Sequence, residues 1–177
     1  MAHLDAEALK LRLRALPRPP HGIGRVVKLV QRLPEERRAS PERVQLVPGR
    51  GLLGDRWADG AEPDVEAEVT VMRADVAAML TDGGDIAPLG DNLFVRLDLS
   101  AANLPPGTRL RVGTARGEVT PKPHTGCDKF AARVGLPALR LTASAAGRRR
   151  NLRGIHIRVI EAGEVAVGDA IVVEARR

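Results

Sequence analysis

Cys127 is the residue of this sequence with the most distinctive chemistry, and it lies in a segment of polar and turn-forming residues at 123–129. Thr125 and Asp128 have the spacing of a helix capping box, which predicts a helix from about Thr125 to Val134. Cys127 would then stand in the first turn, where free backbone N–H groups stabilise a thiolate. A thiolate is the form of cysteine that ligates a soft metal or carries a persulfide sulfur.

The neighbours of Cys127 allow two interpretations. His124 and Lys129 would add hydrogen-bond donors or positive charge beside the sulfur, which makes both of them candidate pocket residues. His124 could equally brace the loop, and Lys129 could be a solvated helix residue. Cys127 itself has helical spacing with apolar residues and could be a small hydrophobe on a buried face that also holds Phe130, Ala131 and Val134.

A second motif, formed by Gly49, Gly51 and Gly54, has the spacing of a dinucleotide-binding loop and follows a strand-like run. That function requires a helix to begin at the third glycine and to present its N-terminus to a pyrophosphate. The residues that follow, DRWADGAEPD, are turn formers and include a proline. The motif therefore predicts a tight turn, after which Asp55 and Arg56 would form a local ion pair.

Composition limits the classes of function. A single cysteine excludes an intrachain disulfide and any metal site with several cysteines. The N-terminal segment has no apolar signal region and no stretch is long enough to span a bilayer, so we expect a cytoplasmic protein without membrane contact. The net charge of +6 suits an anionic ligand, but one Trp, two Phe and no Tyr offer few platforms for stacking bases. Nucleic acid is therefore a disfavoured partner.

The elements that must position these residues are mostly strands. Residues 1–20 are predicted to be a helical appendage, capped by Asp5, and a Pro-rich junction, and residues 21–177 the main domain. Beyond residue 21 a short helix is predicted at Ala74–Leu80, and eight β-branched runs are separated by Gly, Pro or Asp. These runs are GRVVKLV, RVQLV, EAEVTVM, DNLFVRLDL, TRLRVG, GEVTPK, IHIRVIEAG and AIVVEA. They predict a mainly β, barrel-like domain with a few short helices.

Four stretches, taken in order, resemble the MOSC family, which is named after the C-terminal domain of molybdenum cofactor sulfurase, in its small stand-alone bacterial type. They are GRGLLGDRWADG at 49–60 with EVTVM at 68–72, PLGDNLFV at 88–95, PKPHTGCDKF at 121–130 and RGIHIRVIEAGEVAVGDAI at 153–171. The resemblance implies a MOSC-type β-barrel-like fold and a pocket for the molybdenum cofactor, a molybdenum–pterin. It also implies that Cys127 is the catalytic residue, as molybdenum ligand or sulfur carrier.

The resemblance also suggests which residues hold the cofactor: Arg56, Asn92, His124, Lys129, Arg150 and Arg153. We expect one cleft to be lined by Asn92, His124, Cys127 and at least one of the arginines Arg56, Arg148, Arg150 and Arg153. The sequence departs from the family in two places. Molybdenum-binding relatives have an Arg where this chain has Gly90, and the family often has Pro where this chain has Gly126. The first departure removes a guanidinium that could anchor a phosphate.

The resemblance implies a function in binding molybdenum cofactor or carrying sulfur, with a pterin cofactor or a small molecule as ligand. As an enzyme, the protein would be a molybdenum-dependent oxidoreductase that reduces N-hydroxylated compounds with a separate electron-donor protein, or a sulfur-transfer protein served by a sulfur donor. The alternative is a non-catalytic barrel that binds nucleic acid or another anion through an Arg-rich loop at residues 148–150.

Overall fold

Twelve strands and five helices make up the computed structural model, which describes residues 3–176. The strands are β1 (Ile23–Leu29), β2 (Gln31–Arg32), β3 (Arg38–Ala39), β4 (Arg43–Val47), β5 (Gly51–Leu52), β6 (Val69–Arg73), β7 (Leu93–Arg96), β8 (Arg109–Val112), β9 (Ala115–Val119), β10 (Ile155–Glu161), β11 (Gly163–Ala166) and β12 (Ala170–Ala175). The helices are α1 (Ala6–Ala15), α2 (Ala74–Leu80), α3 (Asp128–Val134), α4 (Leu136–Ala143) and α5 (Ala145–Arg149). Short 3-10 turns lie at Arg56–Asp59, Val65–Ala67 and Ala87–Leu89.

Seven of these strands close into a barrel in the order β1, β12, β8, β9, β10, β6, β7. Neighbouring barrel strands are antiparallel except β6 and β7, which run parallel. A small sheet of β11, β4 and β5 and a hairpin of β2 and β3 complete the β structure. Each of the eight predicted runs contains a strand, so the prediction of a mainly β, barrel-like domain is confirmed. Four further strands of two to four residues carry too little alternation to be recognised in sequence.

Two apolar cores hold the elements together. One fills the barrel and includes Val71, Leu110 and Ile157, each without measurable exposure. The other lies between the barrel and the helices and includes Leu9, Met72 and Phe130. Because Leu9 is 1% exposed within this second core, helix α1 is packed against the domain. None of the helices within residues 3–176 has the length and apolar character needed to cross a membrane.

Helices α1 and α2 follow their sequence signals. Asp5 caps α1 through a bond from the Ala8 N–H, and α2 has the predicted bounds. Helix α3 ends at Val134, as predicted, and α4 follows it directly. Pro137 occupies the first turn of α4, a position where its missing N–H costs no hydrogen bond.

The Gly-rich segment forms a tight turn, as predicted. Gly49, Gly51 and Gly54 have φ values of 70°, 62° and 84°, which favour glycine over residues with a Cβ. A Cβ on Gly51 would also lie 2.9 Å from the backbone oxygen of Glu68. The segment leads into the 3-10 turn at Arg56–Asp59, so none of the five α-helices begins at the third glycine.

Asn92 joins this turn to the barrel. Its side-chain oxygen accepts bonds from the N–H and the hydroxyl of Thr70, each at 3.1 Å. Its amide nitrogen donates to the Val30 carbonyl at 3.2 Å and to Asp55 Oδ2 at 2.9 Å. With no exposed surface and these four bonds, Asn92 is saturated. None of the polar atoms of this predicted pocket residue is therefore free to face a ligand in the described structure.

We expect Asn92→Ala to lower the free energy of unfolding by about 2–4 kcal/mol, because it leaves several buried donors and acceptors without partners. Urea unfolding at neutral pH measures this loss. Gln45→Ala is the matched control, since Gln45 carries the same amide on an exposed face of β4, and we expect a change of at most about 0.5 kcal/mol. Equal effects for the two variants would contradict the structural role of Asn92.

Candidate functional site

The thiol of Cys127 is exposed at the start of α3. The helix begins one residue later, at Asp128, and its first hydrogen bond runs from the Ala131 N–H to the Cys127 carbonyl at 2.9 Å. The prediction of Thr125 as N-cap, with Cys127 in the first turn, is therefore wrong, and Cys127 is itself the cap residue. Because Cys127 is exposed, the alternative of a small hydrophobe on a buried face does not hold.

The segment before α3 is shaped by close packing. A Cβ on Gly126 would lie 2.4 Å from Leu139 Cδ1 and 2.9 Å from Phe130 Cδ1. This approach leaves no room for the side chain of any other residue unless the neighbours move. Gly126 thus lets the backbone that carries Cys127 pack directly on α3 and α4, in the place where the family often has Pro.

Four cations converge near the start and along one face of α3. Lys129 and Arg133 stand four residues apart on the helix, Arg38 comes from β3 and Arg56 from the 3-10 turn. We call Arg38, Arg56, Lys129 and Arg133 the basic quartet. All four surround the carboxylate of Glu36.

Each oxygen of Glu36 faces two members of the quartet. Oε1 is 2.7 Å from Lys129 Nζ and 3.5 Å from Arg56 Nη1. Oε2 is 2.9 Å from Arg133 Nη2 and 3.6 Å from Arg38 Nη2. The hydrogen bond from Lys129 is the main cause that lowers the pKa of Glu36 to about 2, so the carboxylate is ionised at neutral pH.

Arg38 is the buried member of the quartet. Its side chain is 10% exposed, and its Nε is buried without a hydrogen-bond partner among the described residues. Burial, followed by the charge of Arg133, lowers the pKa of Arg38. A Cβ on Gly90 would lie 3.4 Å from Arg38 Nη2. Arg38 thus brings a guanidinium alongside the position where this chain has lost the family's arginine.

Asp55, the residue before Arg56 of the quartet, has a buried carboxylate. Arg32 donates to it from its backbone at 2.6 Å and from its guanidinium Nη2 at 2.8 Å, and the Trp57 N–H donates at 2.9 Å. The predicted ion pair between Asp55 and Arg56 is wrong. Asp55 points inward to Arg32 because it caps the 3-10 turn, whereas Arg56 points outward to Glu36.

A second buried network contains Asp91, Arg153, His124 and His156. Arg153 Nη1 donates to both oxygens of Asp91, at 2.9 and 2.7 Å, and the Arg153 guanidinium lies 4.7 Å from the centre of the Phe130 ring. His124 Nδ1 is 3.5 Å from Asp91 Oδ1, and its ring centre is 4.4 Å from that of His156. Arg153 Nε and the Nδ1 atoms of both histidines are buried without hydrogen-bond partners among the described residues.

Burial governs the charges of this network. It raises the pKa of Asp91, against the opposing charge of Arg153. Burial and the charge of Arg153 lower the pKa of His124 well below its ordinary value near 6.5, and burial and Lys122 lower the pKa of His156 to about 4. Both imidazoles are therefore neutral at pH 7, and each has one nitrogen that donates and one that accepts.

A cavity of about 280 Å³ borders this network at His124 and Arg153. Its polar lining includes three of the predicted residues, His124, Arg148 and Arg153, together with Lys122 and Asn151. Cys127 and the other predicted residues, Arg56, Asn92, Lys129 and Arg150, are not among its lining residues. Of these, Arg56 and Lys129 belong to the quartet, Arg150 is exposed at the end of α5, and Asn92 is buried.

Sequence reasoning missed several residues of the site: Arg32, Glu36, Arg38, Asp91, Arg133 and His156. Arg133 had a local signal, because it stands four residues after Lys129 on the same helix. Asp91 also had a local signal, because it precedes Asn92 in the stretch PLGDNLFV, the central motif of the resemblance. Glu36 has none, since its partners on α3 are more than 90 residues away in sequence. Arg38 joins the site through its contact with Glu36.

A comparison of the chain with known protein families gives a match between the MOSC domain and residues 67–172. The chain belongs to the MOSC domain family. The matched region is more than half of the chain and contains Asp91, His124, Cys127 and Arg153. The MOSC family is linked to molybdenum cofactor binding.

Solved structures of the same fold are similar to this MOSC protein. The YuaD protein from Bacillus subtilis is 16% identical, with a TM-score of 0.63 over 88% of this chain and 97% of that one. YiiM from Geobacillus stearothermophilus is 18% identical, with a TM-score of 0.60 over 86% of this chain and 76% of that one. YiiM from Escherichia coli is 17% identical, with a TM-score of 0.60 over 86% and 71%. These identities establish the fold alone, and a comparison with curated protein sequences gave no match.

Because His124 and His156 are neutral in the folded protein, we expect its stability to depend on pH. Because folding lowers the pKa of both, the unfolded chain binds protons first as the pH falls below about 6.5, which costs about 1.4 kcal/mol per pH unit for each histidine. For His156 this loss continues until the pH reaches its folded pKa of about 4. Urea unfolding between about pH 7 and pH 5 measures the slope.

We expect His156→Phe, which keeps a ring of similar size, to reduce this slope by about half. The control is His21→Gln, because the side chain of His21 is 72% exposed and its replacement should leave the slope as in the wild type. A slope unchanged in His156→Phe would contradict the neutral, buried state of His156.

Proposed function

We propose that this MOSC protein binds an anionic molybdenum–pterin cofactor or carries sulfur, with the thiolate of Cys127 as the molybdenum ligand or the persulfide site. One observation carries the proposal: an exposed thiol caps the helix whose Lys129 and Arg133 join Arg38 and Arg56 around a single carboxylate. An exposed thiol and two of the four cations therefore share one helix, α3.

The residues present fit the cofactor. The quartet carries four positive charges against the one negative charge of Glu36, and the buried Nε of Arg38 has no partner among the described residues. Guanidinium groups suit a phosphate because their N–H groups match its oxygens in pairs. Within residues 3–176, no three His, Cys, Asp or Glu side chains converge as a metal cluster, so Cys127 would be a single thiolate ligand to a metal otherwise held by the pterin.

When bound, the cofactor would supply a redox-active metal. The chain itself would bind the phosphate through the quartet and present the sulfur of Cys127. Asp91 would hold Arg153 in place, and the guanidinium of Arg153 would in turn pack on Phe130 of α3. Reduction of N-hydroxylated compounds stays a prediction that rests on the family resemblance. It would require electrons from a separate donor protein.

Sulfur carriage requires a simpler reaction. The thiolate of Cys127 attacks the outer sulfur of a donor persulfide, a new S–S bond forms on Cys127, and the donor leaves as a thiolate. One S–S bond forms and one breaks, so no external oxidant or reductant is needed. The exposure of Cys127 suits this reaction, because a second protein must bring its own sulfur to the thiol.

The alternative, nucleic-acid binding through residues 148–150, has less support. These three arginines are exposed at the end of α5, but Phe94 and Phe130 are buried and cannot stack with bases. Binding of generic DNA that falls steeply with salt and does not depend on Cys127 would favour this alternative over a cofactor site.

We expect Cys127→Ser to abolish molybdenum and persulfide content while leaving thermal stability nearly unchanged, because the thiol is exposed and a hydroxyl is a poor soft ligand. Protein purified from a cofactor-producing host would be assayed for molybdenum, for pterin and for the mass of one added sulfur atom. Thr125→Ala is the control, as an exposed neighbour without a thiol. Wild-type levels of molybdenum and persulfide in Cys127→Ser would refute the proposed function.

A further inference from the structure

We infer that Glu36 is a built-in competitor for the basic quartet, and that an anionic ligand of the phosphate class binds by displacing its carboxylate. The inference rests on the proposed function in one respect, that the quartet is the part of the site that receives the anion. It adds that the site regulates its own occupancy.

The contacts of Glu36 are those of a bound ligand. Its two oxygens are each shared between two cations, and the four cations come from β3, the 3-10 turn and α3. The side chain of Glu36 is nevertheless 43% exposed. It can therefore leave the quartet for solvent without disturbing either apolar core.

The backbone at Glu36 is held in an unfavourable conformation. Glu35 and Glu36 both have φ of 57°, in the left-handed region that residues with a Cβ seldom adopt. They form the tip of the β2–β3 hairpin, which is closed by bonds from the Arg37 N–H to the Pro34 carbonyl and from the Leu33 N–H to the Arg37 carbonyl. Because these are backbone bonds, they hold the tip in this conformation whether or not the carboxylate of Glu36 contacts the quartet.

The quartet has more binding capacity than Glu36 uses. Four positive charges face one negative charge, and Arg38, with nine-tenths of its side chain buried, keeps an unpartnered Nε. A phosphate monoester carries nearly two negative charges at neutral pH and three acceptor oxygens. Such a dianion would neutralise the quartet better than a single carboxylate, so it can compete successfully for the same cations.

The test measures binding of inorganic phosphate and of methyl phosphate by isothermal titration calorimetry at low salt. Glu36→Gln keeps the size of the side chain and removes the competing charge, and we expect it to bind the probes about ten-fold tighter than the wild type or more. Glu35→Gln is the matched control, because Glu35 has the same φ but an 85% exposed side chain that lies 3.9 Å from Arg37 alone. It should bind as the wild type does.

The two probes distinguish the sources of the ligand. A gain for methyl phosphate as well as inorganic phosphate supports displacement by a phosphate monoester, and a gain for inorganic phosphate alone supports displacement by the free anion. Equal or weaker binding in Glu36→Gln overturns the inference, because Glu36 would then be a structural part of the cluster. If Glu36→Gln fails to fold, Glu36→Asn replaces it, since Asn tolerates the left-handed conformation and is uncharged.

Failure of this inference can be told from failure of the proposed function. The phosphate probes need neither molybdenum nor sulfur, so the gain should persist when Glu36→Gln is combined with Cys127→Ser. Arg133→Ala in the Glu36→Gln background should remove the gain, because Arg133 makes the shortest arginine contact with the carboxylate. Retention of the gain in that double variant would contradict the assignment of the anion to the quartet.

Discussion

The carboxylate of Asp55 ties together the segments on which the candidate site stands. It accepts hydrogen bonds from Arg32 in the β2 strand, from the Trp57 backbone in the Gly-rich region and from Asn92 in the central motif. The side chain is 1% exposed, so these donors take the place of water. Burial by itself raises the pKa of Asp55, but the hydrogen bonds and charge of Arg32 outweigh it and the pKa is lowered. The stability that this carboxylate contributes is therefore present above its unfolded pKa and is lost as the pH falls through its folded pKa.

Charge is balanced at two buried ion pairs and unbalanced at the quartet. Asp55 is matched with Arg32 and Asp91 with Arg153, because an unpaired buried charge would cost several kcal/mol. The quartet has three more positive charges than Glu36 neutralises, and most of its side chains are partly exposed. Exposed ion pairs contribute little to folding, so this surplus does not serve stability. In the proposed function it serves the binding of an anion, and folding can tolerate it because water still screens most of it.

The sequence allowed the fold to be predicted, but not the residues that come together around α3. Strands such as β6 and β10 alternate or run apolar over several residues, so local patterns identify them, and the barrel follows from their number and punctuation. The start of α3 was misplaced because the capping-box spacing at Thr125 competes with tight packing at Gly126, which only the folded chain reveals. Glu36 meets Lys129 across 93 residues of sequence, and no local pattern encodes such a pairing.

Arg153 connects the two halves of the site, the quartet and the cavity. Its guanidinium pairs with Asp91 and lies over the ring of Phe130, and the same residue lines the cavity beside His124. Phe130 belongs to α3, the helix that carries Lys129 and Arg133 and is capped by Cys127. Because protein interiors are close-packed, a molecule that moved Arg153 from the cavity side would have to move Phe130 as well. The buried Asp91–Arg153 pair therefore supports, through Phe130, the helix that Cys127 caps.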